Sequence, residues 1–195
     1  MIKLNFISRI SVDKNFFIDL VYLIYQLKTK HDIKSSLYFI GAVESEPVYQ
    51  TVRRLVQITG LDDQISFSKK SIRYDEMTDE VKKGFFINYC VGDFLGYSSI
   101  ECLKYKLKTI FYNIDPAYSG VMNNESYACY CPDMNSLVDL IRKIHLDEMV
   151  MSDDLLKENQ VLLGNFILQK KEEDFLVSVL TGNPLASEQE KFRKA

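Results

Sequence analysis

A three-layer α/β fold, with a mostly parallel open sheet, helices on both faces and a helical C-terminal tail, is predicted by three features of the 195-residue chain. Short apolar runs alternate with segments whose apolar residues recur at helical spacing. The links between them are short. One run, FFINYCV at 85–91, is almost continuously apolar, as expected of a central parallel strand covered on both faces. With 47% apolar and 26% charged residues, the chain has the composition of one domain with a substantial core.

IKLNFIS (2–8) predicts the first strand and FFIDLVYLIYQLKTK (16–30) the helix that follows it. SSLYFIG (35–41) is a second strand, and PVYQTVRRLVQITG (47–60) a helix ended by glycine. Asp62 and Asp63 turn into QISF (64–67), a third strand; after a polar stretch, DEMTDEVKKG (75–84) reads as a short helix stopped by Gly84. Strand 85–91, a glycine-containing loop, helix SIECLKYK (99–106), strand LKTIFYN (107–113) and strand SYACYC (126–131) come next. PDMNSLVDLIRKIHLD (132–147) opens with proline and aspartate, suited to a helix start. Five or six such units predict a Rossmann-like domain over 1–147. Residues 148–195 read as helices packing on the same domain, whose Leu155, Leu156, Val161, Leu162, Phe166 and Ile167 need either the sheet or a second domain to cover them.

A formal net charge of -3 gives no overall attraction to nucleic acid or an acidic bilayer. No apolar run approaches the ~20 residues of a membrane span. Ser8, Arg9 and Ser11 interrupt any signal-peptide core, so the expected location is cytoplasmic, with a partner as the route to any peripheral attachment at the inner membrane. Cys90, Cys102, Cys129 and Cys131 form no CxxC pair, and His31 and His145 no cluster, so no metal site is expected. Cys90 reads as core packing; Cys129 and Cys131, alternating about Tyr130, would share one face of a strand as reduced thiols. The first strand is not followed by GxGxxG, and no Walker-type GKS or GKT occurs, which argues against a dinucleotide-dependent oxidoreductase or a phosphotransferase.

Ligands of an open parallel sheet bind beyond the carboxyl ends of its strands, which singles out four loops. SRISVDKN (8–15) places Arg9 and Lys14 after the first strand, a guanidinium and an ammonium suited to a diphosphate or simply to solvent. Gly41 opens GAVESE (41–46) and allows either close approach of a ligand or a tight turn. In VGDFLGYSSIE (91–101), Gly92 and Gly96 surround Asp93, Ser98 and Ser99 are placed to cap the following helix, and Glu101 falls in its first turn. Glu101 either satisfies free helix N–H groups or accepts hydrogen bonds from a ribose diol. In the fourth, YNIDP, Asp115 is a turn residue or a ligand contact.

Together these segments resemble the C-terminal, donor-binding domain of B-type (GT-B) glycosyltransferases, in particular the retaining, glycogen-synthase-like group 1 and group 4 enzymes. The resemblance covers residues 2–147. SRISVDKN is similar to the family's GR(L)…KG segment, with Ser8 and Asn15 in place of its glycines. YFIGAVESEPVYQ and GLDDQISFSKK resemble the next two family segments, with Ser68 for a glycine. DFLGYSSIE resembles the paired-acid motif EGFG…E, with seven residues between Asp93 and Glu101, Gly96 at the second glycine and Phe94 at the first. ECLKYKLKTI follows the pattern EA(M)A.G.PVI, with Lys106 for glycine and Lys108 for proline.

What the resemblance implies is a UDP- or GDP-sugar bound as substrate, with no separate cofactor. Arg9 and Lys14 would hold the donor diphosphate and stabilise it as it leaves, and Asp93 would orient the transferred sugar. Gly41, Gly96, Tyr97, Ser98 and Glu101 would line the nucleotide site, with Glu101 on the ribose. Transfer would need an N-terminal acceptor domain or a separate acceptor subunit, in polysaccharide or glycoconjugate synthesis. The chain is then an excised domain, a subunit of a split enzyme or a degenerate transferase fragment. The rival expectation is a non-catalytic module that binds a nucleotide or a partner.

Overall fold

The computed structural model describes residues 1–14, 16–89, 97–112 and 129–164. Its strands are β1 (Ile2–Ile7), β2 (Ser35–Ile40), β3 (Ile65–Phe67), β4 (Phe85–Tyr89), β5 (Lys108–Tyr112) and β6 (Tyr130–Cys131). They form one sheet in the order β3-β2-β1-β4-β5-β6, with every neighbouring pair parallel. This is the order of a doubly wound sheet, reversing direction between β1 and β4. The helices are α1 (Phe17–His31), α2 (Glu46–Ile58), α3 (Asp79–Lys82), α4 (Tyr97–Lys104), α5 (Met134–Leu146) and α6 (Glu148–Gly164).

Two apolar clusters occupy the two faces of the sheet. The larger packs β1 and β2 against Leu20, Val21, Ile24 and Leu27 of α1, Val52 and Val56 of α2, and Leu137 and Ile141 of α5. Phe6 sits at its centre, edge-on to Phe16, Phe17 and Phe39 with ring centroids 5.1, 5.8 and 6.1 Å away. Burial of each such ring contributes about 1.5–3 kcal/mol, so the end of β1 is among the most firmly held parts of the chain. The smaller cluster, Ile40, Met77, Phe86, Cys102 and Leu107, lies on the other face beneath residues 72–81 and α4. Cys129 and Cys131 are buried together in the larger cluster as free thiols.

The structure departs from the sequence reading in a few places. Residues 75–84 do not make one helix. A single 3₁₀ turn at Tyr74–Glu76 is followed by an extended Met77, and Thr78 then starts α3 by accepting a hydrogen bond from the Val81 N–H. α4 begins at Tyr97, two residues before the expected start. Ser98 and Ser99 therefore lie inside it rather than at its cap, and Glu101 falls beyond its first turn. α5 starts as expected, with Asp133 accepting from the Ser136 N–H at 2.8 Å. Cys90, Asp93, Phe94, Gly96, Asp115, Phe166 and Ile167 lie outside the described residues.

Two helices end in the same way on different residues. After α2, Gly60 takes the left-handed conformation (φ 63°), its N–H bonded to Gln57 O and that of Leu61 to Val56 O. After α4, Lys106 does so at φ 55°, with Lys106 N–H on Leu103 O and Leu107 N–H on Cys102 O. This is the position at which the resembled pattern carries glycine. The backbone makes the turn with lysine in this position, at a cost of about 1 kcal/mol for a side chain in this region.

α6 closes the far edge of the sheet. Among the described residues β6 pairs with Phe111 and Tyr112, and no strand pairs with the β5 edge at Thr109. There the fully buried Asn159 of α6 accepts from the Thr109 N–H at 2.8 Å and donates to the Thr109 carbonyl at 3.0 Å. Its side-chain amide stands in for the missing strand. Leu155 and Leu162 are buried on the same helix face, whereas Val161 is exposed.

Asn159→Ala should strand two buried backbone groups and lower stability by about 2–4 kcal/mol in urea unfolding, and Asn159→Leu, which fills the space without the hydrogen bonds, should not restore it. Lys106→Gly should raise stability by about 0.5–1 kcal/mol by removing left-handed strain. A lower melting temperature for that variant would mean that the lysine side chain contributes more than the turn costs.

Candidate functional site

The reversal between β1 and β4 opens a crevice at the carboxyl edge of the sheet, and a cleft of about 1100 Å³ occupies it. Ile7, Ile40, Asn88, Cys102 and Leu107 contribute apolar and polar lining from the sheet and its second face. The segment Ser71–Asp75 lines it from the β3–β4 crossover, and Ser98, Glu101 and Tyr105 from α4 and the residue just past it. Ser8, Arg9, Asp13 and Lys14 line it from the β1–α1 loop.

Among the sequence-predicted residues, Arg9, Lys14, Gly41, Ser98 and Glu101 therefore share one cleft. Tyr97 opens α4, but its side chain, like Asp93 and Gly96, is outside the described residues. Gly41 has a structural reason of its own. A Cβ there would collide with the Ser8 carbonyl and stand 3.1 Å from Arg9 N, so glycine lets the ends of β1 and β2 touch backbone to backbone. Its N–H donates to Ser68 Oγ at 2.9 Å. Beyond the strands the two chains stay zipped: Ser8 N–H bonds to Ile40 O, Ile10 N–H to Ala42 O, and Ile10 bridges to Val43.

The charged end of the cleft is built on this zip. Arg9 donates through Nη1 to both carboxylate oxygens of Glu44, at 3.0 and 3.2 Å. Asp13 lies 3.9 Å from both Arg9 Nη2 and Lys14 Nζ. The Ser11 hydroxyl donates to Asp13, and this bond, ahead of the two neighbouring cations, holds the Asp13 carboxyl below its usual range.

The 71–75 wall mixes the Arg73–Asp75 ion pair with aromatic contacts. Tyr74 and Tyr105 stack face to face, 3.9 Å between centroids and 2° from parallel, joining the 3₁₀ turn to the end of α4. Lys82 Nζ lies 4.6 Å from the Tyr74 ring centroid. Asn88, a polar residue in an apolar strand, accepts from the Ser99 hydroxyl at 3.2 Å and so fixes α4 against β4. Burial pushes the Cys102 thiol up to about 12, opposed in part by the Asn88 amide, so it stays neutral at physiological pH.

The sequence reading missed the 71–75 wall, Tyr105, Asn88 and the two acids on the cations. A polar residue inside FFINY was the one signal available for Asn88; the non-periodic stretch 68–76 offered none. Among the described residues no group of three or more His, Cys, Asp or Glu could hold a metal ion, and no helix is long and apolar enough to cross a membrane.

No family model and no curated protein matches the chain. Solved structures do. The HepE protein of Anabaena, in complex with UDP and glucose, superposes with a TM-score of 0.69 at 10% identity, over 92% of this chain and 48% of its own. A glycosyltransferase from Rickettsia africae gives 0.60 at 16% identity, over 84% of this chain and 43% of its own. The C-terminal domain of a group 1 family glycosyl transferase (LpcC) from Francisella tularensis also gives 0.60, at 14% identity, and here the coverage is even, 86% of this chain and 87% of that one. The chain thus spans less than half the length of the first two. It has the fold of one glycosyltransferase domain of the GT-B type.

Proposed function

We propose that the chain is the donor-binding half of a glycosyltransferase and takes a nucleotide-sugar, a UDP- or GDP-sugar, in the cleft between β1 and β4. The observation that carries this reading is the convergence of Arg9, Lys14, Gly41, Ser98 and Glu101 from three separate segments on one crevice at the switch point of the sheet. The fold shared with a protein that holds UDP and glucose supports it.

In this reading the two cations at the end of β1 face the diphosphate. As the bond from the sugar to the diphosphate breaks, negative charge grows on the departing oxygen, and preplaced cations lower the energy of that state more than that of the bound donor. Glu101 accepts hydrogen bonds from the ribose diol, a pairing an ionised carboxylate makes with both oxygens. The end lined by Tyr74 and Tyr105 receives the base, and Asp93 orients the sugar, with retention of its configuration as in the resembled enzymes. Residues 148–195 belong to this same domain, with α6 joined to it through β5. The acceptor comes from a further domain or subunit, in polysaccharide or glycoconjugate synthesis, since positioning donor and acceptor supplies much of the rate.

Calorimetric titration with UDP, GDP and ADP should show binding to one base and not the others. Glu101→Ala should weaken the matching nucleoside by about tenfold, the loss of roughly 1.4 kcal/mol of charge-assisted hydrogen bonding, with no change in melting temperature; an unchanged titration would remove the ribose role. Arg9→Ala should weaken the nucleoside diphosphate by about tenfold or more and leave the nucleoside nearly unaffected. Equal losses for both ligands would rule out the diphosphate assignment.

A further inference from the structure

The cations at the end of β1 are not free. Arg9 and Lys14 contribute two positive charges, and Asp13 and Glu44, each within 4 Å of one or both, contribute two negative ones. This end of the cleft is electrically balanced before any ligand arrives.

The two acids are placed differently. Asp13 belongs to the same loop as both cations and is engaged by the Ser11 hydroxyl. Glu44 reaches across from the β2–α2 loop, 35 residues further along the chain. Its backbone is pinned, since the N–H groups of Glu44 and Ser45 both bond to Ile10 O, at 3.0 and 2.9 Å. Its carboxylate is half exposed, and among the described residues Arg9 is its recorded partner. The carboxylate can therefore swing off Arg9 into solvent without breaking anything else, while the pinned backbone keeps it within reach for return.

We propose that Glu44 is an internal competitor for Arg9 that sets how loosely a diphosphate is held, an inference that rests on Arg9 and Lys14 being the diphosphate site. An anion arriving at Arg9 displaces a carboxylate that already satisfies the guanidinium. An anion departing leaves no bare cation behind, because Glu44 takes its place. Both steps exchange one charge-assisted pair for another, so binding is weakened and release is eased by the same residue. The pair is exposed and screened by salt, so its influence is several-fold and is read best at low ionic strength.

The test is calorimetric titration at low ionic strength with inorganic pyrophosphate, a probe with neither base nor sugar. Glu44→Gln keeps the size of the side chain and removes its charge. Glu46→Gln removes the same charge two residues away, where the carboxylate accepts from Gln50 and does not touch Arg9. Glu44→Gln should bind pyrophosphate about fivefold more tightly than the parent, Glu46→Gln should match the parent, and Arg9→Ala should lose binding. If Arg9→Ala loses binding but Glu44→Gln gains nothing, the competition is overturned and the diphosphate site stands. An equal gain in Glu46→Gln would also overturn it, reducing the effect to net charge. If Arg9→Ala titrates like the parent, or no protein binds, both this inference and the diphosphate reading fail.

Discussion

Parallel pairing of β1 with β2 on one edge and with β4 on the other is the contact on which the remaining architecture depends. It makes the chain run outward in both directions from β1, and the helices fall on opposite faces as a result. A crevice is left where the two directions part. The pairing is held by backbone hydrogen bonds along β1 and by the aromatic cluster around Phe6, and past the strand ends it continues through the Ile10–Val43 bridge. Gly41 permits that continuation because nothing larger fits against Ser8. The loop carrying Arg9 and Lys14 is consequently set by packing and not by the charges it bears.

The two ends of the cleft use different physics. At the end lined by the 71–75 wall, rings and aliphatic side chains are locked by contact, and the stacked Tyr74 and Tyr105 join an otherwise irregular crossover to α4. At the charged end, geometry comes from the backbone and the side chains remain half exposed, where ion pairs are weak and exchangeable. One end is suited to recognising shape, the other to exchanging one anion for another.

Most of the layer arrangement was legible in the sequence because burial imposes a period on each element, as in Leu20, Val21, Ile24 and Leu27 of α1 or the unbroken FFINY of β4. Arg9, Lys14 and Glu101 could be placed at the ligand edge for the same reason: a parallel sheet aligns the ends of its strands. Pairings between distant loops left no such trace. Nothing in the spacing of Arg9 and Glu44 announces that they meet, since the contact follows from the register of β1 on β2. The 71–75 wall has no period because its backbone is a 3₁₀ turn with extended flanks. At Lys106 the residue type pointed away from a turn that the backbone nevertheless makes. Asn159 carried no signal in the sequence, since its role follows from its meeting Thr109 at the edge of β5, 50 residues away.

That last substitution of a side chain for a strand has a consequence during synthesis. Thr109 leaves the ribosome 50 residues before Asn159, which at about 5–20 residues per second is a delay of roughly 2.5–10 s. Throughout that interval the Thr109 backbone groups at the edge of β5 lack the Asn159 amide that pairs them and are open to pairing with another chain. The β5 edge of the sheet can therefore close only after α6 has emerged, and its folding is timed by translation of the second helix after β6.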